Sequence, residues 1–209
     1  RPRGCRSGGS HRRGSGGQRG PPGGGRLSKV GPRRRLLRWS GWFVAANAAV
    51  FALLGLRFMA FAPWPADALG LAYTVLAYVG HFASLALLPV LLIVMPLALL
   101  LPWRPLVVGL AVLLAATEAT LLMVDGNVFA GQRYHLTWLT AMLFERSTWV
   151  LVGVIGCAAL AFEAMLAGVV RGWVEARPSR GGRWLALALV AAWLGGQAIH
   201  VWADAVGYL

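Results

Sequence analysis

Between residues 69 and 101 the chain holds no Asp, Glu, Lys or Arg. About 20 apolar residues in helix cross a bilayer core of about 30 Å. In hydrocarbon only helices and closed barrels satisfy their own backbone groups. The run therefore predicts a membrane helix. It is too long for one straight span, so it must tilt, kink or overhang the bilayer, and Pro89 and Pro96 are the expected kink sites. Four further apolar segments qualify as spans, at about residues 39–60, 106–124, 149–170 and 184–203. The second and third spans are joined only by Pro102-Trp103-Arg104-Pro105, which predicts an antiparallel hairpin. The expected fold class is an all-α membrane protein, a bundle of five transmembrane helices. Composition agrees, with 58% of residues hydrophobic and 13% charged, against roughly 25% charged in a soluble domain.

The net charge of +13 is unevenly placed. Residues 1–35 contain 11 Gly, 11 Lys or Arg, 4 Pro and no acid. A segment of that composition buries no core and is expected to be disordered. It has no apolar stretch of the kind a signal peptide needs. It reads either as a basic arm for anionic lipid or nucleic acid, or as partly outside the native protein. The first Met, Met59, already lies inside the first span, so translation is expected to begin near Leu27 or Val30 at a non-ATG codon. Arg33, Arg34, Arg35 and Arg38 then remain as a juxtamembrane cluster. The 174 residues after the leader carry only +2, from nine Lys or Arg and seven acids.

Orientation follows from the basic residues, which favour the cytoplasmic side. With the N-terminus inside, the inner segments hold 17 Lys or Arg and the outer ones only Arg57, Arg133 and Arg146. Without residues 1–35 the ratio is still 6 to 3. The N-terminus is expected in the cytoplasm and the C-terminus across the membrane. Trp39, Trp42, Trp64, Trp103, Trp149, Trp173, Trp184 and Trp202 fall near span ends, as an interfacial aromatic belt would. In the outer loop at about residues 125–147, Leu136, Leu139 and Leu143 share one helical face and suggest a short helix, either lying in the interface or serving as an ordinary amphipathic connector.

Charged and polar residues at membrane depth are the candidate functional groups. These are Asn47 and Arg57 in the first span, His81 in the second, Glu118 in the third, Glu163 in the fourth, and Gln197, His200 and Asp204 in the fifth. The last three fall at i, i+3 and i+7 on one face, directed into the bundle or toward the outer aqueous side. Their ordinary role is interhelical hydrogen bonding, worth about 0.6 kcal/mol per contact. A proton or ion path would need several of them aligned. Candidate lipid-phosphate contacts are Arg57, Arg133 and Arg146 on the outer side. On the inner side they are Arg171, Arg177, Arg180 and Arg183, which either attract cardiolipin or serve only to fix topology. No zinc-protease, paired-Cys, nucleophile-elbow or phosphate-loop spacing occurs. The two cysteines, Cys5 and Cys157, lie in unlike segments and predict no disulfide. No catalytic residue, metal site or cofactor is expected, and no nucleic-acid partner.

The order of polar marks carries a resemblance. Trp39-Ser40-Gly41-Trp42-Phe43, Asn47, Arg57, Trp64-Pro65, Tyr73 and Gly80-His81-Phe82 resemble the start of the YejM/PbgA-type inner-membrane proteins. The series continues through Asp125, Val128-Phe129, His135, Glu163, His200, Trp202-Ala203-Asp204 and Tyr208. No one motif is specific, but the ordered series spans residues 36–209. The resemblance implies five transmembrane helices followed by a periplasmic domain of the sulfatase fold, in the inner membrane of a Gram-negative bacterium. It also implies association with cardiolipin, sensing of lipopolysaccharide, and restraint of the proteolysis of the deacetylase that commits lipid A synthesis. That restraint would act through a membrane-embedded partner working with the FtsH protease. On this reading the sequence covers the membrane half, any sulfatase-like domain lies after residue 209, and the chain itself is not an enzyme. Glu118 departs from the family pattern, so the resemblance assigns it no role. The alternative is the membrane anchor of a sulfatase-fold lipid-headgroup transferase, of the lipoteichoic acid synthase or phosphoethanolamine transferase type.

Overall fold

A computed structural model describes residues 31–61, 64–101, 103–176 and 181–207, and all regular structure in them is helical. Helix α1 spans Pro32–Met59, α2 Ala68–Pro89, α3 Met95–Leu100, α4 Arg104–Gln132, α5 Trp138–Met142, α6 Arg146–Ala176 and α7 Gly181–Ala205. Among the described residues, four helical segments are long and apolar enough to cross a membrane: Arg33–Met59, Ala68–Leu100, Arg104–Gln132 and Arg146–Ala176. Most of the leader lies outside the described residues. Helix α1 begins within its last part, so Arg33, Arg34 and Arg35 are helical, and Pro32 sits in the first turn, where its missing N–H is harmless.

The long second segment breaks at its first proline. Pro89 ends α2, Val90–Val94 forms a single π-helical turn, and α3 starts with Pro96 in its first turn. Proline has no N–H to give the carbonyl four residues back, and wide turns absorb such mismatches. Helix α4 then packs back along this rod, with Ala98 against the Val107 region in one core. The antiparallel hairpin is therefore present. Arg104 and Pro105 belong to the first turn of α4 rather than to the connection.

Small side chains dominate the packing. The buried set includes Ala83, Ala86, Ala111, Ala115, Ala116 and Ala119, as expected where lipid is as apolar as the core and close approach supplies the cohesion. The extreme case is α2 against α7. A Cβ placed on Gly80 would lie 2.5 Å from Gly196 Cα, and one on Gly196 would lie 2.6 Å from Gly80 Cα. Further along the same contact the Tyr73 hydroxyl, about two turns before Gly80, and His200 Nδ1, about one turn after Gly196, are 2.9 Å apart. Leucines mostly face outward, for example Leu53, Leu92 and Leu113, while valines divide between the core and the outside.

Trp39 departs from the interfacial belt. It is 2% exposed, stacks on Phe43 at 5.0 Å, and its indole N–H donates to Ala167 O on α6 at 3.2 Å. Its ring is wide enough to fill the gap between α1 and α6, and the single N–H finds a carbonyl there. Trp64, Trp103, Trp149 and Trp184 are exposed, as a belt requires, and Trp138 joins them.

Replacing Gly80 with Ala should force α2 and α7 apart and lower stability by about 1–3 kcal/mol, the usual cost of overpacking. Gly153, whose Cβ position meets nothing within 4 Å, serves as control, since Gly153→Ala should hold or slightly raise the midpoint. Thermal unfolding in detergent distinguishes the two, and equal midpoints would refute the close-contact account.

Candidate functional site

The polar residues sort into three levels along the bundle. At one end, Arg38 donates to Val174 O, so the start of α1 is pinned to the end of α6. Arg104 Nη2 and Arg171 Nε reach the same Glu175 oxygen at 3.4 and 3.1 Å. Trp42 and Trp173 meet edge to face at 4.2 Å beside them. Arg171, a candidate lipid contact, is therefore already paired. Exposed pairs of this kind contribute about 0–1 kcal/mol. Arg177 and Arg180 lie outside the described residues. Arg183 falls in the first turn of α7, and its side chain is likewise outside them.

At the opposite end, α4 runs past its expected limit to Gln132. Arg133 follows in the left-handed region at φ 63°, and its N–H bonds Phe129 O at 3.0 Å. The turn swings the Arg133 guanidinium over the Phe61 ring, 4.2 Å from its centroid. Phe58, Phe61, Phe129 and His135 form a connected ring cluster, with Phe129 and His135 stacked at 4.9 Å. Asp125 holds the loop to the helix. One oxygen accepts the Leu136 backbone N–H, and the other faces His135 Nδ1 at 2.9 Å. The exposed Arg57 runs its side-chain stem past Gly126, where the missing Cβ leaves room for it. Arg146 opens α6 and is exposed. The short helix expected in this loop exists as α5, capped by Thr137, which accepts from Thr140 N at 3.2 Å. Its exposed apolar face is Trp138, Leu139, Met142 and Leu143, with Leu136 just before it.

The third level is the middle of the bundle. Asn47 on α1 is 2% exposed and Glu163 on α6 is fully buried. Asn47 Nδ2 donates back to Phe43 O at 3.1 Å. The Asn47 amide faces the Glu163 carboxyl without closing a hydrogen bond to it. Asn47 Oδ1 and both Glu163 oxygens have no hydrogen-bond partner among the described residues. Glu118 on α4 is half-buried and within electrostatic reach of Glu163. Asn47 and Glu118 both line a cavity of about 10 Å³, which Pro89 at the end of α2 and Val90 of the π turn also line.

The structure thus brings together Asn47, Glu118 and Glu163. It does not bring the fifth-span face into the bundle. Gln197, His200 and Asp204 are all exposed, while Gly196 and Ala203 form the buried side of α7. Of the three, His200 contacts α2, through Tyr73. His81 is also exposed, and Ser84, one turn on, donates to His81 O at 2.7 Å. Among the described residues no three His, Cys, Asp or Glu stand together as metal ligands. Sequence reading alone misses the Arg133–Phe61 contact and the Asp125 anchor. Both depend on where α4 stops, and no periodic signal marks that point.

The chain matches the model of the family described as a domain of unknown function, DUF3413, over residues 29–209, and it belongs to that family. It is 29% identical over 185 residues to the inner membrane protein YejM of Salmonella typhimurium and, equally, to that of Salmonella typhi. The match covers 83% of this chain and 31% of each relative, so the chain spans about a third of the relatives' length. The resemblance read from the ordered polar marks is therefore shown. So is the expected localisation, a multi-pass protein of the bacterial inner membrane.

Asp125→Ala should free the Arg133–Thr137 turn while leaving the helices in place. Losing a charge-assisted hydrogen bond of about 1.5–3 kcal/mol should speed amide exchange at Leu136 at least about tenfold. Unchanged protection at Leu136 would contradict the anchor.

Proposed function

We propose that this DUF3413 member is a non-catalytic inner-membrane domain of five spans, with its N-terminus in the cytoplasm and its C-terminus in the periplasm. In this reading it binds anionic lipid, cardiolipin or lipopolysaccharide, together with a membrane-embedded partner protein, and so regulates lipopolysaccharide synthesis and envelope homeostasis. The fifth span is α7. Its 25 residues reach about 37 Å at 1.5 Å per residue, and no Asp, Glu, Lys or Arg lies between Arg183 and Asp204.

The observation that carries the reading is the separation of basic groups to two ends of the bundle, each beside exposed tryptophans. At the inner end Arg104 and Arg171 are engaged by Glu175. At the outer end Arg57 and Arg146 are exposed, and Arg133 stands over a ring. A guanidinium on an aromatic face keeps its N–H edges free for a second partner, and a headgroup phosphate accepts from that edge. Likeness to the YejM proteins supports the same assignment. The transferase-anchor alternative gains no observation of its own.

Native mass spectrometry of the full chain released from mixed vesicles should show retained anionic lipid in preference to zwitterionic lipid. Arg57→Gln and Arg133→Gln should each lower that retention about fivefold, from roughly 1 kcal/mol per basic residue near a charged headgroup. Arg171→Gln should have a smaller effect. Equal retention of zwitterionic lipid, or no change in the two outer variants, would contradict the proposal.

A further inference from the structure

The acids at mid-depth do something that headgroup binding does not require. Two carboxyls, on the packed helices α4 and α6, lie within electrostatic reach of one another, and Asn47 on α1 adjoins both. Its side chain lines the cavity that Glu118 also lines, and it faces Glu163 on the other side. Charge near them is scarce. On α1, Arg38 and Arg57 are nine and ten residues from Asn47, about 14 and 15 Å along the axis, and Arg38 is bonded to Val174 O. On α4, Asp125 is about 10 Å and Arg104 about 21 Å from Glu118. On α6, Arg171 is about 12 Å from Glu163 and paired with Glu175. The α2 side contributes only Pro89, Val90 and Ala86 to the cavity. Two bare carboxylates without a counter-ion in hydrocarbon are far too costly to persist. The site must take up positive charge. Among the described residues the chain offers no ligand set for a metal, whereas a cavity of about 10 Å³ is close to the size that admits one water between polar partners.

We propose that Glu118, Asn47 and Glu163 form an intramembrane proton-binding site, in which a water in the cavity joins Glu118 to Asn47 and the two carboxyls share one proton. Loading is an acid–base step. A hydronium ion gives its proton to a carboxylate oxygen and leaves as water, and nothing is oxidised or reduced. The proton ties α1, α4 and α6 together at the level where the π turn has already loosened the second segment. Losing it leaves two like charges facing each other and weakens that three-helix contact. As a coupled pair, the two acids titrate together rather than as independent groups.

The test is infrared spectroscopy of the full chain in lipid nanodiscs, following the C=O stretch of un-ionised carboxylic acid as pH is raised from about 5 to about 8, beyond the ordinary Asp and Glu range. The wild type should keep an acid band at about pH 8, and Glu118→Gln with Glu163→Gln together should remove it. Either single variant should shift the pH at which the remaining band disappears, because the pair is coupled. Helix content by circular dichroism confirms that each variant is folded. Absence of an acid band at about pH 8 in the wild type overturns the proposal without reference to any variant. So does a remaining band that titrates identically in the wild type and both single variants.

Discussion

Helices surrounded by hydrocarbon gain little by hiding leucine from one another, because lipid is as apolar as the core. Close approach and hydrogen bonding must supply the cohesion, and the rest of this structure follows from that requirement. Leucine faces mostly outward and alanine supplies much of the buried packing, the reverse of a leucine-filled soluble bundle. Where α2 and α7 cross, Gly80 and Gly196 bring backbone against backbone. Where α1 crosses α6, the contact is wider and Trp39 fills it, its N–H satisfied by Ala167 O.

The same medium penalises polarity, so each polar residue records a reason for being where it is. Ser40, Thr117 and Thr120 return their hydroxyls to carbonyls of their own helices. Arginines lie toward the two ends, where Arg38 meets a carbonyl, Arg104 and Arg171 an acid, Arg133 a ring, and Arg57 and Arg146 are exposed. Asn47 and Glu163 break this pattern, since both are buried with oxygens that no described residue satisfies. Asn47 lines the cavity that Pro89 and Val90 also line, so one of these costly groups adjoins the place where the second segment breaks.

Much of this was legible in the sequence. Uninterrupted apolar runs located the helices, Pro89 located the break, and the scarcity of ionisable residues made Asn47, Glu118 and Glu163 conspicuous singly. Their meeting was not legible, because it depends on the rotation of three helices about their own axes, and periodicity within one helix does not fix that rotation. Trp39 was misplaced for a related reason. Nearness to a span end is shared by lipid-facing and core-facing tryptophans, and only the facing helix decides between them. The face carrying Gln197, His200 and Asp204 was correctly grouped, yet glycine and alanine on the other side of α7 won the contact with α2 because they allow closer approach.

Whether α7 crosses the membrane as the fifth span of this charge-sorted bundle is read out by labelling single cysteines with a membrane-impermeant maleimide in intact spheroplasts, in a background lacking Cys5 and Cys157. Gln132→Cys at the end of α4 and Val206→Cys after α7 should both label from outside. Trp103→Cys should label only after the membrane is permeabilised. If Val206→Cys instead behaves like Trp103→Cys, α7 does not cross, and the five-span account is wrong.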